Sequence, residues 1–215
     1  MRSRKAVRRL LRLAILVTAV VLSPLATSAT AVDTPYKDIV SAGPLTDIYV
    51  GNDLSCQVGH SGDSSLAFFP PPFGSIPGDC GTFVAVGGTV YGPDFANHPG
   101  GTATSGSYTP FTPFSQSGVT GSGTSANPYQ VVTVVDAGAS GVRVTQSDTY
   151  IVGDESYRTQ VTVTNTTPGP VSLVLYRAGD CYLAGSDFGY GFTSTFGTRN
   201  SVGCALNQNL SLIHI

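Results

Sequence analysis

The chain has 215 residues, of which 41% are apolar, enough to fill the core of one large β domain or two small ones. Its formal net charge is −2, from 11 basic and 13 acidic residues, but six of the basic residues lie in the first 12 positions and no acidic residue precedes position 33. Without segment 1–31 the chain carries five basic and 13 acidic residues, a formal charge of −8. So few cations disfavour nucleic acid and anionic membrane as partners.

Segment 1–31 has the three parts of a secretory signal peptide. Basic residues are followed by the apolar run 13–22 and then by the small residues Ala29, Thr30 and Ala31. We therefore predict cleavage after Ala31 and a secreted, extracellular or cell-wall-associated protein. The alternative is an uncleaved membrane anchor, but a bilayer needs about 20 apolar residues and this run is shorter.

Four cysteines follow the leader: Cys56, Cys80, Cys181 and Cys204. An even number of cysteines in an oxidising compartment indicates two disulfides. Of the three possible pairings, the first with the second and the third with the fourth closes the shortest loops, which costs the least entropy. The alternative is a metal site, but there is no C-x-x-C pair, and only His60 and His98 could serve as imidazole ligands. We predict structural disulfides, no metal and no cofactor.

Segment 32–98 is predicted to be a β-rich unit closed by the first disulfide. Residues 32–42 are interpreted as a short polar stretch and 45–50 as the first strand, while the apolar piece 65–69 stops at three prolines. Residues 81–86 and 89–91 are predicted to form a hairpin, because Gly87 and Gly88 suit a tight turn.

Segment 99–128 is predicted to be an extended connection, since most of it consists of Gly, Ser, Thr and Pro. Tyr108, Phe111 and Phe114 recur within it at a spacing of three, which places their rings along one edge of a polyproline II helix. Two interpretations stay open: the edge packs on a neighbouring sheet, or the rings form an exposed aromatic ladder that binds carbohydrate.

Four β-branched segments, 129–136, 141–152, 157–165 and 171–177, alternate with turn residues and predict an antiparallel meander. The meander and the second disulfide loop occupy residues 129–209. The predicted fold class is all-β, an antiparallel β-sandwich stapled by disulfides.

Residues 157–175, a strand, an Asn-containing turn and a second strand, resemble the immunoglobulin-like repeats of bacterial cell-surface proteins. The whole chain resembles uncharacterised secreted β-sandwich proteins of high-G+C Gram-positive bacteria. The resemblance implies a sandwich that works at the cell surface. The last six residues, 210–215, resemble the peptide encoded by a transposase sequencing adapter, so we expect the natural protein to continue past Asn209 and the domain 129–209 to be incomplete. The alternative is a natural apolar strand.

Common catalytic signatures are not found in the sequence: Gly59–Asp63, for example, ends in Asp where the nucleophile elbow has Gly. The best candidate cluster surrounds Cys181 and combines carboxylates with aromatic rings: Asp180, Tyr182, Asp187 and Tyr190. Such a cluster suits sugar binding, sugar cleavage or calcium binding, whereas the alternative is that both Asp residues are solvated turn formers.

The leading functional hypothesis is a secreted or cell-wall-associated structural or interaction module with no catalytic site visible in this fragment. Its expected partner is a cell-wall or extracellular polysaccharide or protein. The alternatives are a carbohydrate-binding module and the N-terminal part of a secreted hydrolase whose active site lies downstream.

Overall fold

The computed structural model describes residues 35–61, 77–78, 80–98, 107–179, 190–196, 199–205 and 213–214. These residues form strands and turns, with two short 3-10 turns at Phe95–Asn97 and Gly138–Ser140. None of the described segments forms a helix with the length and apolar character that a membrane span requires. The predicted all-β class is confirmed.

Fourteen strands follow one another along the described part of the chain: β1 Tyr36–Val40, β2 Leu45–Gly51, β3 Ser55–His60, β4 Cys80–Val86, β5 Thr89–Gly92, β6 Thr109–Pro110, β7 Thr112–Gln116, β8 Tyr129–Asp136, β9 Val142–Tyr150, β10 Arg158–Asn165, β11 Leu173–Gly179, β12 Tyr190–Phe196, β13 Arg199–Ala205 and β14 Ile213–His214. The first sheet has the order β1-β2-β3-β4-β5-β6, with β11 also paired to β4. The second sheet has the order β10-β9-β8-β7, and β12, β13 and β14 form a third. All strand pairs are antiparallel except β5 with β6.

The first and second sheets share two buried apolar clusters, which makes their arrangement a sandwich. One cluster joins side chains of β1, β2 and β3 to Val131 and Tyr150 of the second sheet. The other joins Val84 and Val86 of β4 to apolar side chains of β8 and β9. Along β8 and β9 the buried side chains alternate with less buried ones, which is the period-two pattern of a strand that packs one face in a core.

The predicted disulfide Cys56–Cys80 is present and joins two directly opposed residues of β3 and β4. The predicted hairpin is also present: β4 pairs with β5, and Val86 lies opposite Thr89 beside the turn. Gly87 and Gly88 both have positive φ, +59° and +80°, as the tight turn requires, and such angles are costly for residues with a Cβ.

The meander ends one strand earlier than predicted. Strands β8, β9 and β10 are consecutive neighbours, but β11 leaves the second sheet and pairs with β4 of the first. The turn after β10 explains the crossing: the Asn165 side chain bonds the amide of Thr167 and the carbonyl of Gly169, and the adjoining prolines 168 and 170 cannot donate to a ladder.

Six of the described strands lie where the sequence predicted none. Strand β1 falls in the predicted polar stretch 32–42, β3 follows the first predicted strand directly, β6 and β7 lie inside the Gly, Ser, Thr and Pro-rich connection, and β12 and β13 lie in the region of the second disulfide loop. The predicted leader, the apolar piece 65–69 and residues 181–189 and 197–198 of the second disulfide loop lie outside the described residues. Strand β14 falls within residues 210–215 and pairs with β13.

Candidate functional site

Side chains from three neighbouring strands form a row on the outer face of the first sheet. Asp38 of β1 lies opposite Tyr49 of β2, which lies opposite Gln57 of β3. The residues that follow Asp38 and Gln57, and the residue that precedes Tyr49, are buried in the core between the sheets. Because successive side chains of a strand point to opposite faces, this row lies on the face turned away from the second sheet.

Tyr36 and Asp47 extend the row by two positions along β1 and β2. The rings of Tyr36 and Tyr49 meet edge to face, with centroids 5.6 Å apart and planes at 69°. Both tyrosines and both aspartates are partly exposed. We call Tyr36, Asp38, Asp47, Tyr49 and Gln57 the tyrosine–aspartate patch.

Burial and the nearby carboxylates raise the pKa values of two groups of the patch, Asp38 and Tyr49. Burial, reinforced by the nearby charge of Asp47, raises the pKa of Asp38 to about 6, although a backbone hydrogen bond from Ile48 opposes the shift. Burial and the two carboxylates raise the pKa of Tyr49 to about 12, so its hydroxyl remains a hydrogen-bond donor. The patch thus presents a carboxyl group that titrates near neutral pH beside a phenol that stays protonated.

Several buried polar atoms of the patch have no hydrogen-bond partner among the described residues. They are Oδ1 of Asp38 and both amide atoms of Gln57, a residue with no exposed surface. Buried polar atoms are nearly always paired, and each one left unpaired costs about 1–3 kcal/mol. These atoms give the patch an unused capacity to donate and accept hydrogen bonds.

A second polar cluster is buried where the β2–β3 turn meets the 3-10 turn Phe95–Asn97. Oδ2 of Asp53 is 2.9 Å from Nε2 of His98 and accepts a hydrogen bond from the amide of Asp94, while Oδ1 accepts bonds from the amide and the hydroxyl of Ser55. Although burial opposes it, the bonds from His98, Ser55 and Asp94 lower the pKa of Asp53.

Among the described residues, this cluster fixes the backbone of two turns. The hydroxyl of Ser55 bonds the carboxylate and not the imidazole, so the order of groups differs from that of a serine–histidine–aspartate relay. The same carboxylate secures the turn at Leu54, a buried residue with φ of +71°, which is a strained conformation for leucine.

The sequence-predicted cluster lies largely outside the described residues. Asp180, Tyr182 and Asp187 are not described, and Tyr190 is described only as the first residue of β12. Of the predicted second disulfide, Cys181 is not described and Cys204 is described only through the backbone pairing of β13. The predicted cleavage site at Ala29 and Ala31 also lies outside the described residues.

The three rings of the supposed aromatic ladder point to different places. Tyr108 packs edge to face on Phe83, with centroids 5.9 Å apart, and Phe111 is 4% exposed in the core. Phe114 is 59% exposed, and the guanidinium of Arg143 lies 3.7 Å from its ring centroid. The interpretation as an exposed ladder is wrong, because the strands β6 and β7 replace the polyproline II geometry on which it depends.

The tyrosine–aspartate patch was missed because residues 32–42 were interpreted as a polar stretch without a strand. The sequence contains a signal that would have predicted these strands, an alternation with a period of two residues. Tyr36 and Asp38 alternate with Lys37 and Ile39, and Ile48 separates Asp47 from Tyr49. Such an alternation of polar and apolar side chains is typical of a strand with one buried face.

Within the described ranges, no three His, Cys, Asp or Glu side chains converge as metal ligands would. Comparison of the chain with models of known protein families, with curated proteins and with solved structures finds no match.

Proposed function

We propose that this chain is a secreted or cell-wall-associated interaction module whose ligand binds the tyrosine–aspartate patch. The leader-like segment 1–31 and the Cys56–Cys80 disulfide support export, since disulfides persist in oxidising compartments. The observation that carries the proposal is the patch itself, in which half-exposed tyrosine rings adjoin buried polar atoms that have no partner among the described residues.

A carbohydrate is the ligand class that this geometry favours. A sugar ring offers an apolar face that packs on an aromatic ring, and hydroxyl groups that both donate to carboxylates and accept from a phenol. The partly exposed Asp38 and Asp47 supply acceptors, while the phenol of Tyr49 supplies a donor. Because the patch holds two carboxyl groups, it favours a neutral polysaccharide over an anionic wall polymer.

Binding to insoluble neutral polysaccharide tests this proposal. We expect the exported protein to be retained on the polymer, and Tyr49→Ala to lower its affinity roughly tenfold, about 1.4 kcal/mol, as for a central aromatic contact. Phe114→Ala is the matched control, because Phe114 is an exposed ring on the second sheet and lies outside the patch. Equal retention of Tyr49→Ala and the unaltered protein would contradict the patch as the site.

A further inference from the structure

Two carboxyl groups of the tyrosine–aspartate patch lie near each other on the outer face of the first sheet. Asp38 of β1 lies opposite Tyr49 of β2, and Asp47 precedes Tyr49 by two residues, so the two aspartates are diagonal neighbours across this strand pair. Diagonal neighbours on one face of a sheet are about 7–8 Å apart, a distance that an ion between two carboxyl groups can bridge. Among the described residues, the charge that acts on Asp38 is the like charge of Asp47.

A buried amide lies on the same face, on the other side of Asp47. Gln57 of β3 is opposite Tyr49 and is therefore diagonal to Asp47. It has no exposed surface, and neither Oε1 nor Nε2 of its side chain has a hydrogen-bond partner among the described residues. Asp47 thus lies between this amide and Asp38, whose Oδ1 is also buried and without a partner among the described residues.

The pairing of β2 with β3 leaves Asp47 and Gln57 next to each other. The residue of β3 directly opposite Asp47 is Gly59, so no side chain of that strand stands at this position. The pairing is also irregular between Leu45 and Asp47, and an irregularity of this kind redirects the adjoining side chains. The carboxyl group of Asp47 is therefore a common neighbour of the groups on β1 and β3.

The atoms that the patch collects at this point are oxygen acceptors. Ca²⁺ binds about six to eight oxygens, which come from carboxylates, side-chain and backbone carbonyl groups and water. Softer transition metals prefer imidazole and thiolate ligands, and among the described residues no three His, Cys, Asp or Glu side chains converge. One divalent cation would satisfy both unpartnered acceptor oxygens and would also offset the repulsion between the two carboxylates, which a single hydrogen-bond donor cannot do.

We propose that Asp38, Asp47 and Gln57 hold one Ca²⁺ ion on the outer face of the first sheet. The two carboxylates and Oε1 of Gln57 supply the protein ligands, and water completes the coordination sphere. Such a set of ligands corresponds to the affinity of extracellular modules, a Kd on the order of 10⁻⁴ to 10⁻³ M. The ion site does not depend on the polysaccharide ligand proposed above.

The ion would fasten an edge of the sheet. Strand β1 is the first in the order of its sheet and pairs with β2, and the ends and edges of a fold open more readily than its centre. An ion bound to β1, β2 and β3 links three neighbouring strands and keeps the ring of Tyr36 against that of Tyr49. We therefore expect Ca²⁺ to slow hydrogen exchange at the backbone amides of β1.

Calorimetric titration of the full exported chain with Ca²⁺, in a buffer first freed of divalent cations, tests the proposal. We expect one ion to bind per chain. Tb³⁺, which binds the same oxygen ligands, gives a second measurement: excitation of tyrosine should produce terbium luminescence, because Tyr36 and Tyr49 adjoin the site and the chain has no tryptophan. Neither measurement contains polysaccharide, so a negative result would leave the polysaccharide proposal standing.

Three variants separate the site from general attraction to an acidic chain. Asp47→Asn should lower the affinity for Ca²⁺ by about tenfold or more, since even the partners of metal ligands contribute this much. Gln57→Leu removes the amide oxygen and should also weaken binding. Asp154→Asn is the matched control, because it removes the same charge from an exposed loop residue and should keep the affinity of the unaltered chain.

Two results would overturn the proposal. One is an unaltered, folded chain that binds no Ca²⁺ at millimolar concentration. The other is equal affinity in Asp47→Asn and Asp154→Asn, which would mean that the ion is attracted by the net charge and not by the patch. Because Asp47 is partly exposed, its replacement by Asn is expected to leave the fold intact, which circular dichroism of the variant checks.

Discussion

At the scale of single residues, Asp38 and Asp53 show how position decides what a buried carboxyl group does. Asp53 accepts bonds from Ser55, Asp94 and His98, and its pKa is lowered. Oδ1 of Asp38 has no partner among the described residues, and its pKa is raised to about 6. The first group holds two turns together, whereas the second keeps a buried acceptor without a partner among the described residues, at a cost to stability.

The raised pKa of Asp38 predicts a pH dependence of stability. Since the folded state binds this proton more tightly than the unfolded chain, whose pKa is near 3.8, the contribution of Asp38 to stability falls as pH rises from about 4 to about 6. Asp38→Asn removes that loss and should raise the free energy of unfolding at about pH 7.5 by about 1 kcal/mol, a figure reduced because the group is partly exposed.

Urea denaturation at about pH 4.5 and about pH 7.5 measures this effect. Asp154→Asn serves as the control, because Asp154 is an exposed loop residue, and the stability of this variant should follow that of the unaltered protein. An Asp38→Asn variant that is no more stable than the unaltered protein at the higher pH would show that Asp38 carries no such cost.

At the scale of elements, alternation predicted β8, β9 and β10, because β8 and β9 alternate buried with half-buried side chains and β10 alternates half-buried with exposed ones along most of its length. Alternation did not predict the strand with which β11 pairs, because its apolar residues suit either sheet. The sheet that β11 joins depends on the turn after Asn165 and on the pairing with β4. Strand β3 was missed because, apart from Val58, its residues are polar or small, so that its sequence does not show that five of its six residues are buried.

Strand β11 predicts self-association. Among the described strands it pairs only with β4, and three successive apolar side chains, Val174, Leu175 and Tyr176, are 44–52% exposed. A strand with an exposed apolar surface and an unpaired edge is a site for further strand pairing. We therefore expect the protein to form dimers or larger species as its concentration rises.

Sedimentation velocity over a concentration series measures this association. Val174→Lys should lower the associated fraction, because a charge on an edge strand opposes pairing. Val152→Lys is the control, since Val152 is 39% exposed in the loop after β9 and should leave association unchanged. Association that is equal in both variants would place the contact elsewhere.

At the scale of the whole molecule, the disulfide, the sandwich and the acidic composition of residues 32–215 are compatible with an oxidising, extracellular environment. A bond that closes a 24-residue separation stabilises a fold by about 3 kcal/mol, but only where thiols are oxidised. The cysteine spacing predicted the pairing of Cys56 with Cys80, because the shortest loop is the cheapest to close. The hydrogen bond from Thr82 of β4 to Gln146 of β9 was not predictable, since 64 residues separate them and only the packing of one sheet on the other brings them together.

The central claim is that the protein is exported and works as an oxidised, cross-linked interaction module. Its most direct test is to express the chain with its own leader in a Gram-positive host, recover the protein from the medium and the cell wall, and map its peptides without reduction. We predict a mature chain that begins at Val32 and contains Cys56 joined to Cys80. A chain that stays in the cytosol, keeps segment 1–31 and carries both cysteines as free thiols would contradict the claim.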